Sequence, residues 1–310
     1  MRVLFVDHTA RIGGGEIALV NLVRQLDRSL VQPSVLLFEE GPLQERLTPL
    51  TEVHLILLSP DIADAKKDGL GWRSVLQLKG VLLTLLHVVK VARLAMKLEV
   101  DIIHTNSLKA DVIGGLAGRL AGTPVVWHIR DRIEVDYLSK PVVVAFRLLS
   151  RLVPTFVIAN SKATLATVRL SGRRPSAAIG SGVDLEKYKG SSSSLDSNGA
   201  PQPVEEAGPD LRVGLVGRIS PWKGQHIFLR AAAEILKAHP EARFELIGAA
   251  LFDEEEYERE LHDLCRSMDI EHAVTFVGFV DDVPARVAKL DILVHASTTG
   301  EPYGQVIIEG

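Results

Sequence analysis

Two cations stand five residues apart in the run Val213-Gly214-Leu215-Val216-Gly217-Arg218-Ile219-Ser220-Pro221-Trp222-Lys223-Gly224. The run closes an apolar strand and opens a helix, so Arg218 and Lys223 fall on the connecting loop. Open α/β sheets bind ligands in the crevice beyond the carboxyl ends of their strands. Two cations beside a helix N-terminus there suit a diphosphate, although two solvated surface charges would fit the same spacing. The run is not a Walker loop, because no Gly-Lys-Ser/Thr follows a four-residue spacer.

A second candidate is the stretch Glu301-Pro302-Tyr303-Gly304-Gln305-Val306-Ile307-Ile308-Glu309, with seven residues between its acids. Glu301 is expected just before a helix that starts near Tyr303, and Glu309 two turns in. A carboxylate ahead of a helix is a cap or a ligand-facing group. A third candidate, Gly13-Gly14-Gly15-Glu16, lies between the first strand and the first helix. Glycines let the backbone turn tightly and approach a ligand closely, and a plain tight turn uses the same residues. The spacing is not G-x-G-x-x-G, and Glu39 and Glu40 lie beyond the second strand, so a nicotinamide site is disfavoured. His104, Asn106 and Ser107 follow another strand end, as acceptor contacts or as a hydrogen-bonded loop network. Arg130 and Asp131 read as acceptor or supporting groups, or as a structural pair.

Short apolar runs alternate with helical patterns along the whole chain. Strands are expected at residues 3–6, 35–38, 53–57, 101–104, 124–129 and 156–159, then at 211–216, 243–247, 274–277 and 292–295. Helices are expected at 17–26, 110–121, 225–239 and 254–268. The stretch 110–121 is rich in Ala and Gly and suits close packing on a sheet. Strands that are apolar throughout, joined through helices, indicate a mostly parallel sheet covered on both faces. The fold class is therefore α/β, with two Rossmann-like βαβ lobes. An N-terminal lobe is expected over 1–189, a Ser/Pro/Gly-rich linker over 190–210, and a partial C-terminal lobe over 211–310.

Hydrophobic residues make up 46% of the 310, enough for full cores. The net charge of −4 does not suggest a nucleic-acid partner. The single cysteine, Cys265, excludes an intramolecular disulfide and a cysteine zinc cluster, and fits a reducing compartment. Residues 75–100 carry basic side chains every three to four positions and fall short of an uncharged span of about 18 residues. They form an amphipathic helix, covering a sheet face with snorkelling lysines or lying on a membrane surface. The expected location is the cytoplasm, with peripheral contact at the inner face of the membrane left open.

Together these features resemble glycosyltransferase family 4, the large retaining family with the GT-B fold. The resemblance rests on Gly217-Arg218 through Lys223-Gly224 and on the two-glutamate run from Glu301 to Glu309. Gly13-Gly14-Gly15-Glu16 and Asn160-Ser161 add to it. It implies a transferase that moves a sugar from a nucleoside-diphosphate sugar to a saccharide or lipid-linked acceptor, in polysaccharide or glycolipid biosynthesis. Gly14 and Gly15 would line the reaction centre, and Arg218 and Lys223 would neutralise the donor diphosphate. Glu301 would bind hydroxyls of the transferred sugar, helped by the backbone N–H groups of Tyr303 and Gly304, and Glu309 would bind the donor ribose. His128 matches the family's histidine near the transferred sugar, and the segment around Phe279 would meet the base. The resemblance implies neither a metal nor an organic cofactor. A same-face transfer is the family's usual mechanism, with lobe closure excluding water.

Ser181-Gly182-Val183-Asp184 carries a serine where the family often has asparagine. The family pattern also continues beyond Glu309, so the 310-residue chain is expected to be inactive or unstable when made alone. A non-catalytic nucleotide-binding protein and a GT-B-like sugar-nucleotide epimerase are the competing readings, and the Glu301–Glu309 spacing argues against the epimerase.

Overall fold

The computed structural model describes residues 1–58, 74–170, 172, 174–184, 211–251 and 254–310, with the side chains of 74–79 excepted. The chain divides into two compact units, Met1–Gly182 and Val183–Gly310. The expected linker at 190–210 lies outside the described residues.

The first unit is a seven-stranded parallel sheet in the order β3-β2-β1-β4-β5-β6-β7. Its strands are β1 (Arg2–Asp7), β2 (Gln32–Leu37), β3 (Glu52–Leu55), β4 (Ile102–Thr105), β5 (Val125–Ile129), β6 (Phe156–Ala159) and β7 (Ser176–Ala178). Helices α1 (Gly14–Gln25) and α2 (Pro42–Leu47) cover one face. Helices α3 (Ser74–Lys97), α4 (Leu108–Ala121), α5 (Lys140–Leu152) and α6 (Lys162–Val168) cover the other. Strand β1 shows why both layers form. Val3 and Phe5 pack with Leu19 and Val23 on one side, and Leu4 and Val6 pack with Val88 and Ile113 on the other. Successive side chains point to opposite faces, so a continuous apolar run requires two covers. The small-residue character of α4 has the expected consequence. A Cβ on Gly115 would stand 2.6 Å from Trp127 Nε1, so the bare backbone there lets α4 lie directly on β5.

Helix α5 has no counterpart in the sequence reading. Its run Val142-Val143-Val144 is β-branched and reads as strand material. Proline in its first turn and Ser139 before it still start a helix, whose Val143 and Phe146 reach the core.

The second unit is a four-stranded parallel sheet in the order β10-β9-β8-β11. Its strands are β8 (Arg212–Val216), β9 (Arg243–Ile247), β10 (Val274–Gly278) and β11 (Ile292–Val294). A 3-10 turn (Pro221–Lys223) leads into α7 (Gln225–Leu236), followed by α8 (Glu255–Ser267), α9 (Val283–Val287) and α10 (Gln305–Glu309). Val213, Leu215, Phe244 and Leu246 meet Phe228, Leu229, Leu261 and Cys265 in its core. Among the described residues, no helix is long and apolar enough to cross a membrane.

Each sheet reverses its winding at one place, between β1 and β4 in the first and between β8 and β11 in the second. Loops leaving neighbouring strands diverge there and open a crevice at the carboxyl ends.

Candidate active site

In the second unit the loops leaving β8 and β11 are pressed together by Gly224. This residue has φ +78°, and a Cβ on it would stand 2.0 Å from the Ala296 carbonyl oxygen. The Thr298 N–H donates to the Trp222 carbonyl at 2.8 Å, and the Thr298 hydroxyl to the same oxygen at 3.2 Å. This stitching brings Lys223 to Glu301, 78 residues away in sequence, with Nζ donating to Oε1 at 2.5 Å. The same oxygen accepts the Ser297 hydroxyl at 2.6 Å and lies 3.1 Å from His295 Nε2. Burial pushes the Glu301 carboxyl up, but the hydrogen bonds from Lys223, Ser297 and His295 and the Lys223 charge outweigh it, holding the group below its ordinary value. Lys223 Nζ also lies 4.3 Å from the centre of the Trp222 ring.

Arg218 is held by different partners. Its Nε lies 3.7 Å from Glu254 Oε2, while the other Glu254 oxygen accepts the Ser220 hydroxyl at 2.7 Å. Fully buried Gln225 donates to the Arg218 carbonyl at 2.8 Å, and Ile219 N–H to Ala249 at 3.0 Å. Both expected cations are thus held against carboxylates, with side chains 27% and 19% exposed, rather than left as solvated surface charges.

Helix α10 corrects the expected start. Gly304, buried and at φ +73°, is its N-cap, and a left-handed residue cannot continue a helix back to Tyr303. Glu309 therefore lies one turn in rather than two, where it accepts from Gln305 Nε2 at 2.8 Å. It does not join the Lys223–Glu301 cluster. Tyr303 is part-buried, and Phe279 is half-exposed just past β10. Phe276, in the expected base-binding segment, stacks on His262 at 3.8 Å.

In the first unit, β1 ends on Asp7, fully buried at the winding reversal. Asn106 Nδ2 and the Ser107 hydroxyl donate to its two oxygens at 2.6 and 2.7 Å. Burial alone would raise Asp7, but these bonds and the neighbouring His8 hold it below its ordinary value. Arg130 Nε donates to Asn106 Oδ1 at 2.7 Å, and its Nη1 to the Ser181 hydroxyl at 3.0 Å. Asn106, Ser107 and Arg130 therefore form a hydrogen-bonded network. The Arg–Asp pair expected at Arg130 and Asp131 is not a hydrogen-bonded one: Asp131 accepts from Tyr137 at 2.9 Å.

Gly14 and Gly15 are not loop residues but the first two residues of α1, capped by Gly13. A Cβ on Gly14 would meet nothing within 4 Å, while one on Gly15 would lie 3.2 Å from Arg130 Cδ. Glu16, in the same turn, is pushed up to about 8 by burial and by the Asp7 charge. His128, next to last in β5, is buried, and its Nδ1 lies 3.1 Å from His104 Nε2. Burial and the Arg130 charge push His104 down to about 3 and His128 to about 2, so both rings are neutral.

Asp7, Glu254, His295 and Ser297 join these clusters without standing among the candidate residues. Asp7 carries a local signal, an acid closing an apolar strand. His295 and Ser297 carry a weaker one, polar residues at alternate positions just after β11.

The family model described as "Glycosyltransferase Family 4" matches residues 12–187, and that described as "Glycosyl transferases group 1" matches 200–310. Spore coat protein SA of Bacillus subtilis is 33% identical over 146 residues, covering 45% of this chain and 38% of that protein. D-inositol 3-phosphate glycosyltransferase 2 of Catenulispora acidiphila is 30% identical over 235 residues, 67% of this chain and 52% of that protein. The chain thus spans about half or less of these curated relatives. The crystal structure of Anabaena HepE in complex with UDP and glucose is 30% identical, with TM-score 0.78, covering 100% of this chain and 77% of that one. Two parallel sheets with their charged loops at the winding reversals, and a match that runs through most of the first unit, agree on one assignment: the chain belongs to Glycosyltransferase Family 4, with the GT-B fold.

Proposed function

We propose that this protein binds a nucleoside-diphosphate sugar and transfers the sugar, with retained configuration, to a saccharide or lipid-linked acceptor. The observation that carries this reading is the Lys223–Glu301 contact at 2.5 Å, built by the Gly224–Ala296 approach. In the reaction the bond from the anomeric carbon to the diphosphate oxygen breaks, and one to an acceptor oxygen forms. Arg218 and Lys223 take up the negative charge on the departing diphosphate. Glu301 accepts hydrogen bonds from sugar hydroxyls, and Glu309 from the ribose. The two side-chain cations fill the role a divalent ion would have, so the reading includes no metal. HepE, 29% identical, is known with UDP-glucose bound, which makes UDP the first nucleotide to test. Calorimetric titration with UDP, UDP-glucose and GDP is expected to show UDP binding that survives EDTA. Arg218→Ala should weaken it about 10-fold or more, the worth of a hydrogen bond to a charged group. Absence of binding by either nucleotide, or identical affinity in the variant, refutes the reading.

The same reading extends to a membrane-borne acceptor. Helix α3 contains no acidic residue and exposes Val81, Leu82, Leu85 and Leu86 beside Lys90, Arg93 and Lys97. Helix α5, on the same sheet face, adds exposed Val144, Leu148 and Leu152. An apolar stripe flanked by cations suits an anionic lipid surface. Flotation with phosphatidylglycerol vesicles is expected, and lost when Lys90, Arg93 and Lys97 become glutamate. Failure of the unsubstituted chain to float counts against this extension.

A further inference from the structure

We propose that His8 is a binding residue for a saccharide hydroxyl: Asp7 and Ser107 fix its neutral ring with the proton on Nδ1, which leaves Nε2 as a hydrogen-bond acceptor. The site belongs wholly to the unit Met1–Gly182. Its geometry stands alone, while the choice of a saccharide rests on the sugar-transfer reading and makes the ligand that reaction's acceptor.

His8 directly follows β1, where the sheet reverses its winding. The Ser107 oxygen lies 2.7 Å from His8 Nδ1 and 2.7 Å from Asp7 Oδ1. Asp7 Oδ1 itself lies 3.5 Å from the same His8 nitrogen. The His8 backbone N–H donates to Asp7 Oδ1 at 2.7 Å, and Asn106 Nδ2 to Oδ2 at 2.6 Å.

Counting protons decides the tautomer of the ring. Burial works against a charge on Asp7, but its bonds with His8, Asn106 and Ser107 hold the carboxyl below its ordinary value, so it carries no proton. A carboxylate only accepts, so Ser107 spends its single hydrogen on Asp7. Ser107 then has only lone pairs for His8, and the 2.7 Å contact requires the proton on His8 Nδ1. A neutral imidazole carries one proton, so Nε2 holds a lone pair.

Among the described residues, none meets Nε2 with a hydrogen bond, and the His8 side chain is 30% exposed. The ring is thus set in advance by a fully buried acid, with one acceptor left for a ligand. A hydroxyl supplies the matching hydrogen without a charge. Phosphate oxygens, which only accept, are refused by the same lone pair.

The test uses the full chain with 15N-labelled histidine above about pH 8, where an imidazole is neutral. Long-range 1H–15N spectra, assigned through His8→Asn, are expected to show His8 protonated at Nδ1. Methyl α-glucoside and methyl β-galactoside serve as hydroxyl probes, with inorganic phosphate as the control. A glycoside should shift the His8 Nε2 resonance saturably, and phosphate should not. Affinities in the variants are read from backbone amide shifts. His8→Gln can place its amide oxygen where Nε2 stood, so glycoside affinity should stay within about 3-fold. His8→Asn can keep the Ser107 contact through its amide nitrogen but reaches no further. It should lose about 10-fold in glycoside affinity, the scale of one hydrogen bond, at an unchanged melting temperature. Nε2 protonation in the wild type overturns the proposal, as does the absence of a glycoside shift or an equal affinity in His8→Asn. UDP titration of the same samples separates this site from the sugar-transfer reading. UDP binding without a glycoside shift sinks the hydroxyl site alone. A glycoside shift without UDP binding upholds the site and removes its assignment to an acceptor.

Discussion

Replacing Lys223 and Glu301 separately should move UDP affinity in opposite directions, although their side chains touch. Lys223 Nζ sits 2.5 Å from Glu301 Oε1, and the two side chains are 19% and 13% exposed. Lys223→Met removes a donor to the diphosphate, a hydrogen bond to a charged group worth about 1.5–3 kcal/mol, so UDP should bind about 10- to 100-fold more weakly. It also strands the Glu301 carboxylate with Ser297 and His295 as its remaining partners. The group should then titrate higher, and the fold should lose about 1–3 kcal/mol. Glu301→Gln leaves Lys223 in place and removes a negative charge from beside the diphosphate. At a separation of about 6 Å and an effective dielectric between those of water and a protein surface, that repulsion is worth about 1 kcal/mol, and UDP should bind several-fold more tightly. The same variant should bind the sugar of UDP-glucose less well, because a charged acceptor of its hydroxyls becomes a weaker neutral one. The double variant should melt higher than Lys223→Met alone, since it buries no uncompensated charge. Calorimetry with UDP and thermal melts of the four proteins supply the numbers. Weakening of UDP by Glu301→Gln to the same degree as by Lys223→Met would refute the reasoning, as would Lys223→Met with unchanged affinity.

Two glycines should separate ligand approach from folding. Gly14→Ala meets open space at the start of α1, so the melting temperature should hold or rise slightly, and any loss of function reports a ligand close to that backbone. Gly224→Ala combines a left-handed φ with a contact at 2.0 Å. It should cost about 2–4 kcal/mol and abolish UDP binding together with the fold of the second unit. Melts from pH 4 to 9 should show two opposed arms. His104 and His128 titrate near 6.5 when unfolded but at about 3 and about 2 when folded, so their stabilisation is complete above 6.5 and lost as pH falls toward 3. Glu16 is raised from 4.5 to about 8, so its contribution is complete below 4.5 and lost as pH rises through 8. Glu16→Gln should flatten the alkaline arm alone, and an unchanged profile in that variant would count against a protonated Glu16.

The central strands were legible because burial on both faces leaves an unbroken apolar run, as in β1 and β8, whereas the edge strand β7, Ser176-Ala177-Ala178, has no such run and was not expected. Helix α5 was not, because three consecutive valines favour a strand locally and only packing against the sheet decides for the helix. In the site, the residues that carry charge were legible by type and spacing, whereas their partners were not. Glu301 receives donors from four and six residues upstream and from Lys223, 78 residues away. Asp7 meets Asn106 across 99 residues, and His104 meets His128 across 24. The Lys223–Glu301 and Asp7–Asn106 separations reflect the place where each sheet reverses its winding, which brings loops from distant strands to one crevice, whereas His104 and His128 lie on the adjacent strands β4 and β5. A motif therefore locates a functional side chain, while its protonation state and orientation belong to whatever the topology sets beside it.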